Sequence, residues 1–119
     1  MNYWPPTEGR IEAFDTDISS SEVLQRYFDK STLVKSMNHI AYAELERHAF
    51  PTDSDDRRVI FLAGDSGNAR KLVGELIDAI GFSVVDVGDL RYGARFQPGT
   101  PLFNAHLTKA EALKLLRLM

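Results

Sequence analysis

Several side-chain groupings in this sequence have the types and spacing to do chemistry. Asn2-Tyr3-Trp4-Pro5-Pro6 and Met37-Asn38-His39 each set a carboxamide beside flat surfaces. Such amides both donate and accept, so Asn2 and Asn38 suit a carboxamide or a ribose edge, and Tyr3 and Trp4 suit a ring face. The plain alternative is that Tyr3 and Trp4 cover a sheet end and that Asn38 caps a helix starting at Ile40. Gly64-Asp65-Ser66-Gly67-Asn68 is a glycine turn of the kind that can hold phosphate on backbone N–H groups. Its spacing is neither G-x-G-x-x-G nor the lysine-bearing P-loop, and Asp65 puts a carboxylate where a phosphate would sit. A helix cap by Asp65 or Ser66 is the expectation. Asp53, Asp55 and Asp56 lack the glycine and distal glutamate of a calcium loop, and Arg57-Arg58 stands beside them. His39, His48 and His106 are scattered, with only Glu44 four residues before His48, so no metal site is expected. No G-x-S-x-G elbow is present, which leaves nucleophilic hydrolysis without support.

The chain that must position these groups has 119 residues, 44% hydrophobic and 26% charged, which is one domain's worth of ordinary globular sequence. A chain of this length buries roughly two-thirds of its unfolded surface, enough for a core without staples. It has no cysteine, which excludes disulfides, thiolate metal sites and cysteine nucleophiles. A net charge of −3 gives no basic field for nucleic acid or anionic lipid. No apolar run approaches the roughly 20 residues that span a bilayer, and the N-terminus has no secretory pattern. A soluble, cytoplasmic protein is the expectation.

Residues 1–18 read as an extended loop, because Pro5-Pro6 opposes helix. Ser19 to Phe28 reads as a helix, with Ser19 and Glu22 as a capping box and Val23, Leu24, Tyr27 and Phe28 as its buried stripe. Thr32 to Met37 is a short strand, and Ile40 to Phe50 a second helix stopped before Pro51. Arg57 to Ala63 is a strand buried on both faces, as in a parallel sheet. A helix running to about Gly81 follows, with Ala69, Leu72, Val73, Leu76, Ile77 and Ile80 on one face. Phe82 to Val87 is the third strand, closing a βαβ unit. Leu90 to Pro101, with two glycines and two prolines, reads as a loose, long connection, a kind more often functional than a short one. Arg91 and Arg95 within it are expected to pair with Asp86 or Asp89 rather than hold an anion. A last helix begins at Thr108 with Glu111 as a second capping box, apolar over most of its circumference. The fold class is α/β: a mostly parallel sheet of about three strands with flanking helices.

At these residues the chain resembles a known family. Asn2 to Pro6 with Gly9-Arg10-Ile11, Ser21 to Leu24, Val34 to Asn38, Val59 to Asp65, Ile80 to Gly88 and Gln97 to Leu102 look, in that order, like a deazaflavin (coenzyme F-420)-dependent NADP oxidoreductase. The resemblance runs nearly end to end, and it implies that residues 1–119 are one domain equivalent to the second half of an NAD(P)-binding Rossmann domain. It implies NADP(H) and a deazaflavin or flavin acceptor as cofactors. Asn2, Tyr3, Pro5, Asn38 and His39 would then line the nicotinamide edge, with no protein nucleophile, since hydride passes between two bound cofactors. The family opens with G-x-G-x-x-G, which is absent here, and its Ala-Phe-Asn reads Ser36-Met37-Asn38. Those departures imply a truncated or split enzyme, inactive or incomplete alone.

The alternative is a non-catalytic interaction or assembly module that kept the fold. Either way, a bare edge on the strand at Leu33 and the leucine-rich last helix lead to the expectation of a homodimer or a missing-half partner chain.

Overall fold

The computed structural model describes residues 1–50 and 54–119; Pro51, Thr52 and Asp53 of the acidic loop lie outside the described residues. The order of elements is α1 (Pro5–Glu8), a 3-10 turn (Glu12–Phe14), α2 (Ser20–Tyr27), β1 (Val34–Ser36), α3 (Tyr42–Arg47), β2 (Val59–Gly64), α4 (Gly67–Ala79), β3 (Ser83–Asp86), a 3-10 segment (Leu90–Phe96) and α5 (Lys109–Arg117). The three strands form one sheet in the order β1-β2-β3. β2 and β3 pair in parallel around the α4 crossover, as the periodicity predicts. β1 pairs with β2 in antiparallel register, Lys35 opposite Ala63, so the sheet is mixed.

Every residue of β2 is buried, and alternation divides them between two cores. Val59, Phe61 and Ala63 face Val85, Phe96, Leu102 and Ala112. Ile60 and Leu62 face Ile40, Ile77 and Phe82. Burying an aliphatic side chain on this scale contributes about 2 kcal/mol, so β2 is the keel of the molecule.

The edge of β2 that faces β1 is completed by three different partners. β1 covers Leu62 to Gly64 and then leaves. One step on, the Phe61 N–H donates to His39 Nε2 at 3.0 Å, and the Phe61 carbonyl accepts from Ser36 Oγ at 2.8 Å. Further along, the Val59 N–H donates to the Leu107 carbonyl. Side chains thus do the work of missing strand backbone, as a buried polar edge requires.

Both capping boxes form, at Ser19 with Glu22 and at Thr108 with Glu111. Four expectations need correction. Pro5-Pro6 does not forbid helix: it starts the single turn α1, where the first N–H groups have no intrahelical acceptor to lose. Leu90 to Phe96 is not loose; it is a 3-10 segment burying Leu90, Gly93 and Phe96. The stripe of α2 buries Val23, but Tyr27 and Phe28, at the end of the helix, are 70% and 58% exposed. The stripe of α4 is likewise too wide. Ile77 is buried and Gly74 lies close to Val84 and Leu62, while Leu72, Leu76 and Ile80 are exposed because a three-stranded sheet covers only a strip of the helix. In α5, too, only Ala112 is fully buried.

Candidate functional site

The backbone turns sharply where β1 ends. Met37 has φ of 61°, a left-handed conformation that a long side chain rarely takes. That turn folds Asn38 and His39 back against the sheet instead of letting the strand continue. Such local strain marks a place where geometry is imposed.

Three of the residues singled out from the sequence meet here. The Asn38 amide donates to Asn2 Oδ1 and to the Phe96 carbonyl, both at 3.0 Å. The Asn2 amide donates in return to the Asn38 carbonyl at 2.7 Å. His39 Nδ1 lies 3.3 Å from Asn38 Oδ1. Asn38 is therefore no helix cap: α3 begins after Ala41, without a side-chain cap.

The protonation state of His39 follows from its partners. Nε2 receives the Phe61 N–H, so it must be the unprotonated nitrogen, and the proton sits on Nδ1 facing Asn38 Oδ1. This ring is 1% exposed, between Phe61 and Phe96. Burial, with Arg58 and Lys35 adding positive charge, pushes its pKa down to about 3. His39 is thus a fixed neutral donor that orients Asn38, which in turn orients Asn2. Asn2 keeps one amide N–H beyond these bonds, and that group is the polar end the network can offer a ligand.

Tyr3 and Pro5 follow Asn2 in the chain. Together with Trp4, Pro6, Pro98 and Gly99 they line an apolar pocket of ≈ 200 Å³. The Tyr3 ring stacks on Phe14 and its hydroxyl accepts from the Ile11 N–H, which fixes that wall. Trp4 packs on Phe103 and is 36% exposed. Flat, rigid walls of this size suit a planar ring; Asn2, Asn38 and His39 are not among the residues that line the pocket. The pocket is too small for a whole dinucleotide, and the other glycine turn supplies no phosphate cradle. There Ser66 Oγ accepts from Ala69 N–H, as a helix cap does, while Asp65 Oδ1 accepts from the distant Leu90 N–H. This turn therefore offers the phosphates of a dinucleotide no cradle.

The remaining candidates fall elsewhere. Arg91 and Arg95 both lie over the Tyr92 ring, at 4.7 and 4.8 Å, and neither joins Asp86, which binds Arg70. No cluster of metal-ligating side chains occurs among the described residues. No helix among the described residues is long and apolar enough to cross a membrane.

Sequence reading passed over two groups. His48 and His106 are 58 positions apart in sequence yet stack at 4.5 Å beside the buried Arg58. Lys35, in the middle of a strand, is 4% exposed. A lysine at the inward position of a short apolar run was the available signal for the second; nothing local signals the first.

No family model matches the chain, and no curated protein matches it. Among solved structures, a hypothetical protein from Sinorhizobium meliloti superposes with a TM-score of 0.71 at 31% identity, over 91% of this chain and 51% of that one. A protein from an Arthrobacter species, described as an F-420-dependent NADP reductase, superposes with a TM-score of 0.56 at 23% identity, over 77% of this chain and 40% of that one. The chain therefore spans about half the length of the first relative and less of the second. The fold is a partial Rossmann-like α/β fold.

Proposed function

We propose that this chain provides the nicotinamide-facing part of an NADP(H)-dependent oxidoreductase whose second cofactor is a deazaflavin or flavin. The observation that carries this reading is the Asn2–Asn38–His39 network, whose Asn2 directly precedes Tyr3, Trp4 and Pro5 of the ring-sized pocket. Bound NADPH would supply a hydride donor, and the acceptor would take it directly. The chain's own contribution is positioning: the pocket walls hold the ring plane, and the Asn2 amide, oriented through Asn38 by His39, fixes its rotation. Such orientation is worth much of a hydride-transfer barrier, and no nucleophile is required.

The same reading makes residues 1–119 equivalent to one half of the cofactor domain. The missing half, with its G-x-G-x-x-G turn, would come from a homodimer mate or a partner chain, at the β1 edge. The experiment is titration of the purified chain with NADPH, following Trp4, the only tryptophan, with correction for ligand absorption. Saturable quenching in the micromolar range, weakened about tenfold by Asn38→Ala, is expected. No saturable change up to millimolar NADPH overturns the cofactor reading and leaves an interaction module. Light scattering that gives only the 13.4 kDa monomer removes the homodimer.

A further inference from the structure

Among the described residues, no carboxylate pairs with Lys35. It occupies the centre of β1, and its Cδ fills space left by Gly93, where a Cβ would stand 2.8 Å away. Its ammonium reaches Ser20 Oγ at 3.5 Å, the outer limit of a hydrogen bond, and lies 5.9 Å from the Phe96 ring centre. The other deeply buried cations, Arg57 and Arg58, bind Asp78 and Glu44. Desolvation pushes the Lys35 amine down to about 8.

The direction of the ammonium makes the imbalance sharper. Ser20 is the first residue of α2, so Lys35 points at the positive end of a helix dipole. Both the Ser20 N–H and the Ser20 hydroxyl donate to Gln97 Oε1, at 3.0 and 3.2 Å. A neutral amide oxygen thus stands where an anionic oxygen would be held far more strongly. Gln97 also belongs to the segment that builds the ring pocket: Phe96 accepts from Asn38, and Pro98 and Gly99 form a wall.

We infer that Lys35, the Ser20 hydroxyl and the first turn of α2 form a subsite for an oxyanion, phosphate or carboxylate, which displaces the Gln97 amide oxygen on binding. The inference rests on the nicotinamide reading only for the source of that oxyanion: it comes either from the cofactor's diphosphate or from the co-substrate. The ligand oxygen takes the two Ser20 donors and neutralises the ammonium.

Inorganic pyrophosphate is the probe, with binding followed by calorimetry and by the titration of lysine side chains under isotope labelling. Saturable binding is expected, with the Lys35 midpoint raised. Lys35→Met, in which methionine fills the space of the lysine stem, should weaken it at least about tenfold, and Gln97→Ala should tighten it several-fold by removing the competing acceptor. Equal binding by the wild type and Lys35→Met, or no saturable binding by the wild type, overturns the inference. Nicotinamide riboside, which has a ring and no phosphate, tests the ring pocket separately through Trp4. Pyrophosphate binding through Lys35 with Trp4 silent would sink the nicotinamide reading and keep the oxyanion site. Competition between pyrophosphate and NADPH assigns the oxyanion to the cofactor's diphosphate; simultaneous binding assigns it to the co-substrate.

Discussion

Arg58 and Lys35 are both cations inside this small protein, and their surroundings are opposite. Arg58, just before β2, is 2% exposed and held by three acceptors. Its Nη1 donates to Glu44 Oε2 at 2.6 Å and to His48 Nδ1 at 2.9 Å, and its Nη2 to the Ala105 carbonyl at 3.3 Å. The hydrogen bond to Arg58 holds the Glu44 carboxyl below the usual carboxylate range. Only Nε of Arg58 is left without a partner. Lys35, in contrast, touches one hydroxyl and an aromatic ring. Arg58 ties α3 to the segment before α5, so its charge is structural. Lys35 ties nothing together, and its uncompensated charge costs stability that a merely structural position would have no reason to retain.

The largest effect bearing on this comparison comes from His39, which lies between the two cations in electrostatic terms. Its pKa is depressed from 6.5 to about 3 in the folded chain, so between those values the unfolded chain binds a proton that the folded one refuses. Stability should therefore fall as pH drops from 6.5 towards 3, by about 4 kcal/mol in all. Urea unfolding across that range checks it, and His39→Gln should flatten the slope. Next in size, Arg58→Met should destabilise by about 3 kcal/mol, since it leaves the Ala105 carbonyl and His48 Nδ1 without their donor. If it proves neutral, the contrast with Lys35 collapses.

Lys35→Met should do the reverse and stabilise by about 2 kcal/mol below pH 8. The wild-type penalty is fully present where the amine is charged in both states. It fades as pH rises from about 8, where the folded chain loses its proton, to 10.5, where the unfolded chain does too. The gain from the mutation should shrink over the same window in paired denaturation curves. The smallest effect is Ser66→Ala, which removes the α4 cap and should cost about 1 kcal/mol. Because Ser66 touches neither cation, its cost should add to that of Lys35→Met in a double mutant, and departure from additivity would mean that the regions are coupled.

Elements encoded by neighbours in sequence were legible in advance. The βαβ unit follows from the apolar run at Val59, the 3.6-residue period before Gly81 and the apolar run after it. The two capping boxes were readable to the atom, because each is a four-residue pattern whose partners are its own backbone. The antiparallel direction of β1, the stacking of His48 on His106 and the burial of Lys35 depend on contacts across the whole chain. The exposed Leu72, Leu76 and Ile80 show the same limit from the other side: periodicity reveals which face of α4 is apolar, not how wide a sheet exists to cover it. The candidate site was half legible. Residue types at Asn2, Asn38 and the aromatic start pointed to it, but the role of His39 as their orienter depends on Phe61, 22 positions away.

The rung that His39 supplies to β2 carries a consequence for which residues position 39 can accept. A backbone donor is indifferent to side chains, but this one is answered by an imidazole nitrogen. Glutamine alone among the neutral residues combines an acceptor with comparable reach, whereas leucine would fill the space and leave the Phe61 amide stranded. A library randomised at position 39 and sorted for folded protein should therefore return histidine and glutamine and exclude the apolar residues that every other position in that core admits.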